Sequence, residues 1–297
     1  MNERERGFLL LASHLGDPAR RPLTGRQLRI LAQRVRDLNV DDPERDLTED
    51  DLLRLGYGHE MAVRIVSLLA EEKRLDIYLA RAKRAGCVPI TRISEHYPVL
   101  LRQRLGLDAP AVLWARGDLR LLSAPAVALV GSRDLRHENR EFAAEVGRQA
   151  AIQGLTLISG NARGADRTAQ DACLAAGGSV ISVVADELDK HPLRENVLYI
   201  SEDGFDEPFS AQRALSRNRV IHTMGWRVFV SQTALETGGT WNGTVKNLRA
   251  RWSDVYCFAD GSEGAAELCR MGAFPIGMAE LSDFASLPAT EPSLFDR

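Results

Sequence analysis

A chain of 297 residues can bury more than one hydrophobic core, and 44% hydrophobic with 27% charged residues is an ordinary globular composition. The brief apolar run Phe8 to Ala12 is too short for a secretory leader or a membrane span, so no membrane association is expected. A net charge of −3 excludes a uniformly basic coat but not a local basic groove, and arginine supplies nearly all the cations, with lysine confined to Lys73, Lys83, Lys190 and Lys246.

Residues 1–86 read as helices. Phe8, Leu11, Ala12 and Leu15 form one apolar face. Thr24 is the predicted N-cap of a second helix carrying Leu28, Leu31, Val35 and Leu38. Leu47-Thr48-Glu49-Asp50-Asp51 opens a third, with acids in the turn where the helix dipole favours them. Leu52, Leu53 and Leu55 lead into Gly56-Tyr57-Gly58, then Met61, Ala62, Ile65, Val66 and Leu69 continue as a fourth helix. That glycine hairpin has two readings: a helix-hairpin-helix turn offering amides to a DNA phosphate, or a tight interhelical turn. A last helix runs from about Leu75 to Ala85.

Residues 87–122 form an extended connector with a strand at Pro110 to Trp114. Beyond it the pattern is α/β. Short apolar runs at Val127–Val130, Thr156–Ile158, Val180–Val184, Val228–Val230 and Val255–Phe258 alternate with amphipathic stretches, as in a parallel sheet covered on both faces. The fold class is therefore α/β: an extended Rossmann-like parallel sheet over 87–286, preceded by a small all-helical domain of SAM or helix-hairpin-helix type. The segment 287–297, with Pro288 and Pro292, is expected to be a disordered tail. Cys87, Cys173, Cys257 and Cys269 form no CxxC pair, so neither zinc nor disulfides are expected, and a reducing, cytoplasmic setting follows.

Four loops share one vocabulary. Gly131-Ser132-Arg133 follows the first α/β strand, and Ser159-Gly160-Asn161-Ala162-Arg163-Gly164-Ala165-Asp166 follows the second. Arg217-Asn218-Arg219 precedes the strand at Val228, and Gly238-Gly239-Thr240 follows it. Ligands of open α/β sheets sit at the carboxyl ends of the strands. Small residues there let a phosphate reach backbone amides, and guanidinium forks complement its charge. The candidate phosphate-binding residues are Gly131, Ser132, Arg133, Ser159, Gly160, Arg163, Gly164, Arg217, Asn218, Arg219, Gly238, Gly239 and Thr240, all meeting at one rim. Trp241 beside the last loop has two readings, a base-stacking ring or a packed edge aromatic. No catalytic residue, metal or cofactor is assigned.

The ordered set Tyr97-Pro98, Ala109-Pro110-Ala111-Val112-Leu113-Trp114-Ala115-Arg116-Gly117, Gly131-Ser132-Arg133, Ser159-Gly160 through Asp166, Arg217-Asn218-Arg219 and Thr237-Gly238-Gly239-Thr240 resembles the DNA-processing protein A family, also called DprA or Smf. The resemblance implies a Rossmann-like domain that binds single-stranded DNA without catalysis, as a homodimer, and passes it to a RecA-type recombinase in recombination or transformation. It places Ser132 and Arg133 on a DNA phosphate, with Ser159, Gly160, Arg163 and Gly164 as the adjoining nest. Several positions depart from the family pattern. Gln170 replaces a usual histidine, and Ala185 to His191 is acidic where a glycine turn with Tyr-Pro is common. No winged-helix module follows Phe284, so a divergent member is expected, with a role in phage defence as another setting.

A second class of reading is a nucleotide sensor or a nucleoside-monophosphate phosphoribohydrolase. That chemistry needs a carboxylate at the glycine-rich turn, and Glu236 is the nearest acid. Glu291-Pro292-Ser293-Leu294-Phe295 resembles the short tail peptides that dock on bacterial sliding clamps.

Overall fold

The computed structural model describes residues 1–36 and 46–290. Leu38 and the clamp-like peptide from Glu291 lie outside the described residues.

The first five helices are α1 (Glu3–Ala12), α2 (Gly25–Val35), α3 (Glu49–Arg54), α4 (His59–Leu69) and α5 (Glu72–Arg84). Asn2, Thr24 and Thr48 each close a capping box, with Glu5, Gln27 and Asp51 respectively. Caps of this kind stabilise a helix start by about 1 kcal/mol each. Leu28, Leu31, Leu52, Ala62, Ile65 and Leu68 close a small core among α2, α3 and α4. At the hairpin, the Gly56 and Tyr57 amides donate to the Leu53 and Leu52 carbonyls, and Arg34 covers the Tyr57 ring at 4.4 Å. Those two amides point inward, which favours the tight-turn reading.

The sheet comprises β1 (Val88–Thr91), β2 (Val112–Gly117), β3 (Ala126–Val130), β4 (Thr156–Ser159), β5 (Ser179–Val183), β6 (Val197–Ser201), β7 (Arg227–Val230), β8 (Asp254–Phe258) and β9 (Phe274–Ile276). Their order is β1-β2-β6-β5-β4-β3-β7-β8-β9. β2 pairs antiparallel with both β1 and β6 at one edge, and the neighbours from β6 to β9 pair in parallel. The segment read as a connector thus supplies two strands of the sheet. β1, β6 and β9 are additions to the sequence reading. The Val197–Ile200 run has the same apolar character as β5, whereas β9 is three residues long and contains Pro275.

Around the sheet lie α6 (Val99–Leu105), α7 (His137–Ile152), α8 (Ala165–Ala175), α9 (Ala211–Ser216), α10 (Asn218–Met224), α11 (Gly238–Ala250) and α12 (Glu263–Arg270). Alternation along β3 assigns the faces. Val127 and Leu129 pack with Phe142, Val146 and Ala169 of α7 and α8. Ala128 and Val130 share the opposite core with Val220, Ile221 and Trp241. The helical segment docks through Leu9, Leu10, Leu75 and Tyr78 onto Trp114 and Tyr199, the Tyr78 ring meeting Trp114 edge-on at 5.2 Å.

Residues 287–290, read as the start of a disordered tail, are held in place; the rest of that tail lies outside the described residues. Leu287 is buried, and Arg227, itself 1% exposed, donates to its carbonyl at 2.8 Å. The Tyr256 hydroxyl holds the Pro288 carbonyl at 2.6 Å, and Thr290 Oγ1 donates to Asp254 at 2.6 Å. Composition favours fraying there, but buried donors at the starts of β7 and β8 capture these carbonyls.

Among the described residues no helix is long and apolar enough to cross a membrane. Helices α7 and α8 touch at Gly147, where a Cβ would run into the Ala169 carbonyl of the facing helix. Gly147→Ala is therefore expected to lower stability by about 1–3 kcal/mol, as overpacking of a tight contact does. Urea unfolding checks this, and an unchanged midpoint would deny the close approach.

Candidate nucleic-acid interface

The chain runs β3, β4, β5, β6 in one direction across the sheet and then returns beside β3 as β7 before continuing to β8 and β9. The strand order reverses between β3 and β7. Loops leaving these two strands diverge and open a crevice at their carboxyl ends. The loop after β3 supplies Gly131-Ser132-Arg133, and the loop after β7 leads to α11, which begins at Gly238.

The loops are stitched together. Ser132 N donates to the Gln232 carbonyl at 3.0 Å, and Ala165 N donates to the Ser132 carbonyl at 3.1 Å. Thr240 Oγ1 donates to the Gly131 carbonyl at 2.9 Å, and Asn218 Nδ2 to the Gly239 carbonyl at 3.1 Å. Gly131 has no room for a side chain, because a Cβ would strike the Ser231 hydroxyl. Gly164, the N-cap of α8, has φ +89°, which glycine adopts freely.

Arg217 is the central cation. Its guanidinium lies directly over Gly160, where any Cβ would overlap it. The side chain is 10% exposed, and its ion pair with Asp166 is long, at 3.7 Å. Arg217 Nε has no hydrogen-bond partner. Burial pushes the Asp166 carboxyl up despite Arg217 and the Ala162 amide, and burial pushes the Arg217 guanidinium down despite Asp166. At both groups the loss of water outweighs the attraction between them, so the pair is incompletely compensated for burial.

Two cavities adjoin at Arg217. One, of about 350 Å³, is lined by Arg133, Gly160, Arg163, Arg167 and Arg217 together with Asp186 and His191. The other, of about 560 Å³, is lined by Ser132, Arg133, Arg217, Asn218 and the Gly238-Gly239-Thr240 turn. Arg133 borders both and is exposed, with no ion pair or hydrogen bond among the described residues. Arg163 pairs with Asp134 at 2.7 Å, both well exposed, so the pair is weak and open to exchange for a phosphate.

Four residues of the sequence reading stand apart. The Ser159 hydroxyl is fully buried and accepts from Gln170 Nε2 at 2.6 Å, so it does not face the cleft. Arg219 lines a third cavity of about 710 Å³ with Lys246, which meets the second at Asn218 and Gly239, and its guanidinium is committed to Glu202 at 2.7 Å and the Asp108 carbonyl at 2.6 Å. Two residues apart on a helix are about 200° apart in direction, which separates Arg219 from Arg217. Trp241 is 8% exposed within the core beside Val220, Ile221 and Val245, so it offers no stacking face. Glu236 is exposed and lines neither of the two joined cavities.

The structure instead presents Phe209. It is 60% exposed and borders both cavities beside Arg133 and Arg217. Its setting in Glu207-Pro208-Phe209-Ser210 marks a loop, but nothing local reveals which way the ring faces.

Beneath the crevice, Asn139 is fully buried and bridges the Ser231 carbonyl and Asp260 Oδ2, each at 2.7 Å. Arg136 joins this network through Asn139 Oδ1 and Asp260. Among the described residues no group of three or more His, Cys, Asp or Glu is placed to hold a metal ion.

Fold and site together define a doubly wound, Rossmann-like α/β protein with an anion-seeking cleft at its switch point. Residues 89–283 match the DNA recombination-mediator protein A family, and the chain belongs to it. It is 30% identical to Protein Smf of Escherichia coli over 196 residues, 61% of this chain and 51% of that protein. It is 31% identical to the DNA processing protein DprA of Streptococcus pneumoniae over 185 residues, 56% of this chain and 63% of that protein. The chain thus spans half to three-fifths of these relatives' length. The X-ray structure of S. pneumoniae DprA superposes with a TM-score of 0.68 at 24% identity, over 95% of this chain and 96% of that one. DNA processing protein A of Helicobacter pylori, whose structure concerns a single-stranded DNA binding mode, gives 0.55 at 22% identity, over 66% of this chain and 94% of that one. At these identities both structures speak for the fold.

Burial alone would raise the Asp260 carboxyl, but hydrogen bonds from Ser262, Asn139 and Arg136 outweigh it and hold the group below the usual range. A depressed carboxyl stabilises the fold above the unfolded value, about 3.9, and loses that contribution as pH falls through the folded value. Wild type should melt above Asp260→Asn at pH 7, and the gap should close below about pH 4. A gap that stays constant in melts from pH 3 to 7 would exclude an ionised Asp260.

Proposed function

We propose that this chain binds single-stranded DNA by its phosphates, non-catalytically, in the cleft between the carboxyl ends of β3 and β7. The observation that carries this reading is Arg217, buried, loosely paired and shared by two cavities that also share the unpartnered Arg133. A linear chain of phosphates can engage both cavities, whereas one small anion fills one. Phe209 at their common border gives an unpaired base a π-face, which a duplex does not offer. Membership of the family supports a role in DNA processing. In the cell we infer a cytoplasmic homodimer that holds single strands for a RecA-type recombinase during recombination or uptake.

Fluorescence anisotropy with a labelled d(T)20 tests the reading. Binding should weaken steeply with salt, and Arg133→Ala should cost about tenfold, alike for all sequences, while lowering the salt slope by about one. Phe209→Ala should cost about 1–3 kcal/mol with the slope unchanged, because stacking releases no counterion. Absence of binding at low salt, or Arg133→Ala binding like wild type, would overturn the proposal. Tighter binding of a nucleoside monophosphate than of d(T)20 would do the same and point to a nucleotide sensor.

A further inference from the structure

The cavity of about 350 Å³ is not uniformly cationic. Arg133, Arg163, Arg167 and Arg217 line one part of it, and Asp186 and His191 line another. Asp186 follows β5 and forms no ion pair with these arginines. Its Oδ1 accepts from His191 Nε2 at 2.9 Å. That bond fixes the imidazole with Nε2 protonated and leaves Nδ1 to accept from Asn161 Nδ2, 3.4 Å away. The ring also stacks on Tyr199 at 4.8 Å, and Arg116 holds the His191 carbonyl. Asp186 is therefore presented by a rigid support, with its side chain 32% exposed and Oδ2 without a protein donor among the described residues.

A carboxylate in an anion-binding cavity repels phosphate. The part of a bound nucleotide that reaches Asp186 must be neutral and carry N–H or O–H donors. In DNA that part is the base. Guanine alone presents an imino and an amino donor side by side on its pairing edge, the pattern that a carboxylate accepts with two oxygens. The nine-tenths buried Arg217, which lines the same cavity as Asp186 and Arg133, supplies the cation for the attached phosphate in this reading.

We propose that Asp186, oriented by His191, is the specificity-determining acceptor for an unpaired guanine whose adjoining phosphate is held by Arg133 and Arg217. This depends on the single-strand reading above, and it adds base selectivity to a cleft that otherwise sees only backbone.

The test is anisotropy of the full chain with d(T)20, d(TTTG)5, d(TTTA)5 and r(U)20, in wild type and Asp186→Asn. Wild type should bind d(TTTG)5 about five- to tenfold tighter than d(T)20, with d(TTTA)5 within about twofold of d(T)20. Asp186→Asn should reduce the guanine advantage, read as the d(TTTG)5 to d(T)20 affinity ratio within that variant, to less than about twofold, with d(T)20 itself bound no more weakly than by wild type, because a repelling charge is removed. The amide in that variant still accepts from His191 Nε2, so a purely supporting role would leave the guanine advantage intact. The proposal is overturned by no guanine advantage in wild type, or by the same advantage in Asp186→Asn. A preference for r(U)20 that disappears in Asp186→Asn would also overturn it, in favour of a sugar hydroxyl. Failure of every oligonucleotide to bind removes the single-strand reading, and this one with it, whereas d(T)20 binding without guanine preference removes only this one.

Discussion

The guanidinium of Arg217, held out of water 3.7 Å from the Asp166 carboxylate, is the interaction on which the cleft depends. Asp166 also accepts the Ala162 amide at 3.1 Å and so shapes the loop after β4. Arg217 occupies the space that Gly160 leaves open, which locks α9 and α10 against that loop. A buried pair of this kind contributes little net stability, because desolvation takes back most of the Coulomb attraction. Its value lies in the unmet demand it leaves. In the proposed reading, a phosphate at Arg217 would complete the compensation that Asp166 only begins.

The abundance of arginine acquires a structural meaning from its partners. Arg104 donates to the Thr223 carbonyl at the end of α10, Arg227 captures the chain beyond Phe284, and Arg219 is spent on Glu202 and the Asp108 carbonyl. The planar fork can hold several carbonyls at once, and it keeps its charge when buried. Arg133, Arg163 and Arg167 are different, because they stay exposed at the cavity wall. A protein with net charge −3 thereby places several exposed arginines at one crevice, while Arg104, Arg219 and Arg227 serve as braces.

The acidic segment after β5 fits the same logic. Where the family resemblance led to a glycine turn with Tyr-Pro, this chain has Asp186 and His191 supported by Asn161, Tyr199 and Arg116. A negative group at the edge of a cationic cavity costs phosphate affinity. The proposed contact with a base gives that negative group a role that phosphate binding alone does not.

Sequence alone determined the local elements and the chemistry of the loops. Capping residues, 3.6-residue periodicity and apolar runs with glycine turns depend on neighbours in the chain, so Thr24, Thr48 and the runs of β3, β4, β5, β7 and β8 were legible. The gathering of Ser132, Arg133, Gly160 and Arg217 at one rim followed from the rule that parallel strands end on the same side. Tertiary structure alone decided which side chains are free. Arg217 and Arg219 are equivalent as letters, but one faces a cavity and the other a buried glutamate. Trp241, which the sequence left open between stacking and packing, is buried, and Phe209, to which the sequence assigned no role, is exposed, because burial is set by elements far away in the chain. The capture of residues 287–290 by Arg227, Tyr256 and Asp254 has the same origin. Exposure and pairing are properties of the packed whole, and no local pattern encodes them.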